Sequence, residues 1–219
     1  MQSPLWRTAR RRAVAITNGY ATLAELKARL AIPTATTSYD TALEAAIEAA
    51  SRRIEDDTDC LFYDTSATRY YTSDDHLTLF LPDMLISVSA IATVSAQGAG
   101  TRTYGFSWNA TDYDLEPYSG PPYTRISRTP TGLYWFPVER KSIRITGTFG
   151  YCVAGAHPRQ IREACLVMAA RTFERAKSPL GVVGGEGITE AYKLPSNDPD
   201  YDALTAPYRR HDMVSVSRW

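Results

Sequence analysis

Leu43, Ala46, Ile47, Ala50 and Ile54 recur at intervals of three and four residues, with Glu44, Glu48, Arg52, Arg53 and Glu55 between them. That spacing puts the apolar set on one side of a helix and the charges on the others, and predicts a helix over residues 40–58. Asp40 or Thr41 can cap it, and its alanines leave room for another helix. A shorter helix precedes it. Thr22-Leu-Ala-Glu25 has the form of a capping box, in which the hydroxyl and the carboxylate satisfy exposed amides of the first turn. Leu23, Leu26 and Leu30 then fall on one face, and Pro33 ends the helix. A third helix is predicted over residues 158–175, opened by Pro158 at a first helical position. Its apolar side is Ile161, Ala164, Cys165, Met168, Ala169 and Phe173. Its wet side carries Arg159, Arg162, Glu163, Arg171, Glu174 and Arg175.

Between the second and third helices the period changes from that of a helix to that of a strand. Candidate strands are residues 68–71, 77–81, 88–94, 112–116 and 143–149, rich in Tyr, Thr, Val and Ile. The alternation is cleanest where Ile143, Ile145 and Phe149 point opposite to Arg144, Thr146 and Thr148. Turn-rich breaks fall at residues 96–100, 118–122 and 129–132. The expectation is an α+β fold, a small bundle of about three or four helices carrying an inserted antiparallel sheet of about four to six strands. Residues 20–64 and 151–180 would form the helical core and residues 65–150 the insertion. Residues 1–19 would be a flexible basic arm, and residues 181–219, with several prolines, an extended C-terminal arm.

Composition narrows the function classes. The 219 residues are 44% hydrophobic and 22% charged, an ordinary globular balance. Lys plus Arg and Asp plus Glu each total 24, so no overall attraction to nucleic acid or to an anionic membrane is expected. Three cysteines without C-x-x-C spacing indicate neither a disulfide framework nor a zinc knuckle. No stretch approaches the roughly 20 apolar residues of a membrane span. Arg7, Arg10, Arg11 and Arg12 are not followed by an apolar run, against a secretory signal.

Catalytic chemistry finds little support. The glycines of residues 181–187 lack the Gly-Lys-Ser/Thr ending of a phosphate loop. Asp56, Asp57 and Asp59, and Asp74 with Asp75 and His76, lack calcium-loop spacing. His76, His157 and His211 have no ligand spacing, and a Cys152 or Cys165 partnership with His157 is the one nucleophile arrangement to consider. No catalytic residue, cofactor or metal is expected, and the chain reads as a non-enzyme. The fourteen Tyr and four Trp suit packing and interfaces. Tyr70, Tyr71, Tyr118 and Tyr123 sit among polar neighbours and are interface candidates, as are Glu44, Glu48, Arg52 and Arg171 on the helix faces.

The segments also resemble a known family. Ala21-Thr-Leu-Ala-Glu-Leu-Lys-Ala-Arg-Leu-Ala-Ile32 and Tyr39-Asp-Thr-Ala-Leu-Glu-Ala-Ala-Ile-Glu-Ala-Ala50 are similar to the opening of the tailed-bacteriophage head-tail connector, or adaptor, proteins. Ile143-Arg-Ile-Thr-Gly-Thr-Phe-Gly-Tyr151, His157-Pro-Arg-Gln-Ile-Arg-Glu-Ala164 and Ala169-Ala-Arg-Thr-Phe-Glu-Arg175 resemble that family's strand-turn-helix, and Pro207-Tyr-Arg-Arg210 its closing motif. The strand-rich insertion departs from the minimal, nearly all-helical members. The resemblance implies a homo-oligomeric ring of about twelve copies beneath the portal of a virion, closed by a repeated heterologous interface. It implies a portal protein and a stopper or tail-completion protein as partners, DNA passing through the channel without specific binding, and synthesis in the host cytoplasm with no membrane. By carry-over, Tyr208, Arg209 and Arg210 would reach the portal; the aromatic end Trp219, beyond the family's motif, is a further portal-contact candidate because such a tail suits a partner groove. Another neck or tail-completion protein, and a small DNA-binding protein or enzyme, are the alternative readings.

Overall fold

The structure, a computed structural model, describes residues 16–98, 101–177, 182–183, 192–193 and 199–210. It is a mixed α+β fold, as the sequence predicts. The chain divides into two compact units: Met1–Arg53 with Gln160–Leu204, and Ile54–Arg159 with Thr205–Trp219.

The first unit is helical. The capping box forms: the Thr22 hydroxyl accepts from the Glu25 amide at 3.3 Å and the Glu25 carboxylate accepts from the Thr22 amide at 2.8 Å. It opens α1 (Leu23–Arg29). Helix α2 (Asp40–Thr58) begins in this unit, and Leu43, Ala46, Ile47 and Ala50 are all buried. Helix α3 spans Arg159–Lys177. Its buried stripe is Ile161, Ala164, Cys165, Leu166, Ala169 and Phe173. Met168, expected in that stripe, is only half-buried. The stripe advances by fours from Ile161 to Phe173, and Met168 falls at its margin while Leu166 turns inward.

Lys27 breaks the polar-out rule. It is buried, paired with Asp40 at 2.5 Å, and donates to the main-chain oxygens of Thr34 at 3.3 Å and Thr36 at 2.9 Å. One ammonium thereby pins the loop between α1 and α2 to both helices.

Part of the C-terminal stretch expected to be extended is helical: α4 (Pro199–Thr205) is followed by a 3-10 turn, Ala206–Tyr208. Pro199 stands at a first helical position, where its missing N–H costs nothing, and Asp200 and Asp202 occupy the first turn, where the helix dipole favours acids. Proline here starts a helix instead of keeping the chain extended. The glycines of residues 184–187, the basic residues before Ile16, His211 and Trp219 lie outside the described residues.

The second unit carries the sheet. Its strands are β1 (Thr65–Tyr71), β2 (Thr78–Thr93), β3 (Ala96–Gly98), β4 (Thr101–Thr103), β5 (Phe106–Trp108), β6 (Tyr113–Glu116), β7 (Tyr123–Arg128) and β8 (Ile143–Phe149). Six of them form one antiparallel sheet in the order β1-β8-β2-β7-β6, with β5 on β2, and β3 and β4 pair separately. Strand β8 matches its predicted bounds, with Ile143, Ile145 and Phe149 buried. Gly147 completes the alternation because a Cβ there would stand 2.3 Å from the Ser87 oxygen.

Two expected strands, 77–81 and 88–94, are halves of β2, which spans 16 residues. Its first part pairs with β7 and its second with β8, and the register shifts between Phe80 and Leu85. Pro82 sits at that shift, where a missing amide is tolerated. The core joins Leu79, Leu85, Ile91, Ile126, Ile145 and Phe149, with Trp108 stacked on Phe136 at 4.5 Å between centroids.

Candidate functional site

The portal-contact residues suggested by the closing motif are tied into the sheet-bearing unit. Phe62, fully buried, is flanked by Tyr151 and Tyr208 at 5.2 and 5.7 Å, and the two tyrosine rings meet at 5.6 Å. The Cys60 thiol donates to the Tyr208 main-chain oxygen at 3.4 Å. Arg210 is held at both ends: its amide donates to the Thr58 oxygen at 3.2 Å and its guanidinium to the Leu81 oxygen at 3.1 Å. Arg209 donates to the Thr205 hydroxyl at 3.4 Å. All three are half-buried.

Two recesses adjoin this segment. The larger, about 520 Å³, is an apolar groove between β2 and residues 207–210, with Phe80, Pro82, Met84, Tyr151 and Tyr208 among its walls. The second, about 460 Å³, carries Glu55, Asp56, Asp59 and Asp83 together with Arg69 and Arg210. Its charges are partly matched inside the chain. Arg69 pairs with Asp83 at 2.7 Å and lies 4.4 Å over the Phe149 ring, and the Tyr71 hydroxyl donates to Asp83 at 3.1 Å.

The interface candidates separate by environment. Tyr70 is 51% exposed and Tyr71 is 6% exposed, because strand alternation turns adjacent side chains to opposite faces. Tyr71 is thus a core residue whose phenol is pushed well up, first by burial and then by Asp83. Tyr70 packs on Tyr104 at 5.4 Å, and Arg144 lies 5.0 Å over the Tyr104 ring. Tyr118 is exposed and Tyr123 half-buried. On α2, Glu48 accepts from the Thr17 amide at 3.2 Å and Arg52 donates to the Asn18 oxygen at 3.0 Å. These two charges fasten residues 17–18 to the helix. Glu44 and Arg171 are half-buried. Sequence reading missed Trp135 and Leu133, exposed on the loop before β8, with Arg128 lying 4.1 Å over the Trp135 ring.

The thiols are poorly suited to nucleophilic work. Burial, first among the causes, pushes Cys60, Cys152 and Cys165 each up to about 11, which keeps them protonated at neutral pH. Cys152 and His157 converge on one acceptor, the Phe62 oxygen, at 3.2 and 2.8 Å. Cys165 faces Ser51 at 3.5 Å in the helical core. His76 is engaged with the Phe136 oxygen at 2.9 Å. Among the described residues no three His, Cys, Asp or Glu side chains gather as a metal site requires, and no helix is long and apolar enough to cross a membrane.

No family model matches the sequence, and no curated protein matches it. Solved structures do match. A chain in the neck of an empty gene transfer agent particle, computed with C6 symmetry, superposes with a TM-score of 0.55 at 20% identity, covering 92% of this chain and 95% of that one. The fold is one found in a particle neck. The neck of the native particle, computed with C12 symmetry, gives 0.53 at 19% identity over 92% of this chain and 94% of that one. The virion of the native particle gives 0.51 at 21% identity over 92% and 95%. Each match thus runs over most of both chains.

Proposed function

We propose that this chain is a structural protein of the neck of a phage-like particle, a head-tail connector of the adaptor type. The observation that carries the reading is the shared fold over 92% of this chain and 95% of a chain from a solved particle neck. The sequence resemblance in residues 21–50 and 143–175 supports it independently of the superposition. In this reading the copies close into a ring of about twelve, each offering two different complementary patches to its neighbours. The C12 symmetry applied to the native neck supports that number. The exposed tyrosine and tryptophan rings, Tyr70 and Trp135, suit such patches, since aromatics bury large areas at low entropic cost.

Tyr208, Arg209 and Arg210 are the proposed portal contact. Their bonds to Thr58, Leu81 and Thr205 present them from a fixed base, which lowers the ordering cost of docking. Stopper or tail-completion proteins would meet the ring on another face, and DNA would pass through it without sequence-specific contacts.

Mass photometry over a concentration series, with negative-stain images of any large species, tests the proposal. Rings with a central hole, free in solution or formed on added portal rings, are the expected result. A chain that stays monomeric alone and with the portal would overturn it.

A further inference from the structure

The two recesses share a wall. Pro82, Met84 and Arg210 line both the apolar groove of about 520 Å³ and the charged recess of about 460 Å³. Each volume falls within the range of about 300–1,000 Å³ that takes a ligand or several side chains. Phe80 stands at the edge of the groove with 61% of its surface exposed. Arg125 lies 5.8 Å from its ring centroid, but that guanidinium is already answered by Glu116.

The charges are unevenly matched. Glu55, Asp56, Asp59 and Asp83 in the recess and Asp74 in the groove stand against Arg69, Arg209 and Arg210. Arg69 is taken by Asp83, and the Arg210 guanidinium by the Leu81 oxygen. Asp56, Asp59 and Asp74 are exposed and form no ion pair among the described residues. Asp56 also sits in the last turn of α2, which holds no basic residue, where the partial negative charge of the helix end opposes a carboxylate. The free chain thus carries an electrostatic cost that a cation brought from outside would relieve. An exposed aromatic ring next to uncompensated acids is the complement of an apolar side chain next to Lys or Arg.

We propose that the two recesses together receive one segment of the portal protein, with an apolar side chain seated against Phe80, Pro82 and Met84 and a neighbouring Lys or Arg on Asp56 and Asp59. The proposal rests on the neck reading and deepens it. Tyr208 and Arg209 wall the groove and Arg210 lines both recesses, so the site is continuous with the portal contact proposed above.

The full chain carrying photoreactive benzoyl-phenylalanine at position 80, mixed with portal rings, tests this by mass-spectrometric mapping of cross-links. The expected product joins position 80 to one portal segment in which Lys or Arg lies close to an apolar residue. An Asp56→Asn, Asp59→Asn variant is expected to attach to the portal about fivefold more weakly or worse, with a flatter salt dependence. It should melt no lower than the parent, since it removes acids from a helix C-terminus. Phe80→Ser, at an exposed position, should weaken attachment and leave the salt dependence unchanged. Full-strength attachment of the Asn variant, or cross-links only to other copies of this chain or to an acidic portal segment, would overturn the proposal and leave the neck reading in place. A parent chain that attaches to no portal ring would overturn both.

Discussion

The guanidinium of Arg210 donates to the main-chain oxygen of Leu81 at 3.1 Å. That oxygen lies in the stretch of β2 where the register shifts and the pairing passes from one neighbour to the other. An arginine 129 residues along the chain thus supplies a donor at a gap in the ladder. Arg210→Ala is expected to destabilise the protein by about 1–2 kcal/mol, the usual effect of leaving a half-sheltered acceptor without its charged donor. The readout is a lower urea midpoint at unchanged m-value. An unaltered midpoint would show that water replaces the guanidinium.

Lys27 is buried, and its ammonium serves Asp40 and two loop carbonyls at once. Removing one partner of a sheltered ion pair leaves the other desolvated without compensation. Asp40 retains some exposure, so Lys27→Ala is expected to cost about 2–3 kcal/mol, below the range for a fully buried pair. Because both substitutions act on one contact, Lys27→Ala and Asp40→Ala should be strongly non-additive in a double-mutant cycle. Additive losses would mean that Lys27 acts through the loop carbonyls alone.

Gly150 follows β8 with φ +142, and a Cβ there would stand 2.1 Å from the Tyr63 oxygen. Neither the backbone angle nor the clash with main chain can relax by a rotamer change. Gly150→Ala should therefore cost about 2–4 kcal/mol, combining backbone strain with overpacking. Thermal unfolding checks this, and Gly155→Ala is the comparison, since φ is +84 there but open space surrounds the position.

Glu116 accepts from the Ser127 hydroxyl at 2.5 Å and pairs with Arg125. The Ser127 bond first, and then Arg125, hold its carboxyl below the ordinary range. A carboxyl depressed on folding adds stability that is fully present above its unfolded value, about 4.3, and is lost as pH falls through the folded value. Ser127→Ala is expected to raise the Glu116 pKa, and the variant's deficit to be present at neutral pH and absent once the carboxyl is protonated in both proteins. Carboxyl-carbon NMR titration measures the shift. A curve that superposes on the parent's would remove Ser127 as the cause.

How much of the fold and the site could be read in advance depended on how local each signal was. The Thr22 box and β8 were legible because partners three residues apart, or alternating ones, suffice to define them. Strand β7 was not. Of its six residues only Ile126 is buried, and the strand exists because β2 and β6 pair with it on either side. Tyr208 and Arg210 were picked out by resemblance, but their anchoring by Phe62 and Leu81 could not be seen from spacing, since those partners are distant in sequence. Nothing in the sequence marks Lys27 for the same reason: the Thr34 and Thr36 oxygens become its ligands only once the loop is closed.

The order β1-β8-β2 has a consequence for how the molecule is made. Thr65 pairs with Phe149 and Thr93 with Ile143, so the strand lying between β1 and β2 is the last of the sheet's strands to leave the ribosome. Until it arrives, β1 and β2 face an empty slot, and the connections it must close span much of the insertion, which slows assembly. A nascent chain halted before residue 143 would hold the capping box and the whole of the second helix, yet still lack the strand that joins β1 to the rest of its sheet.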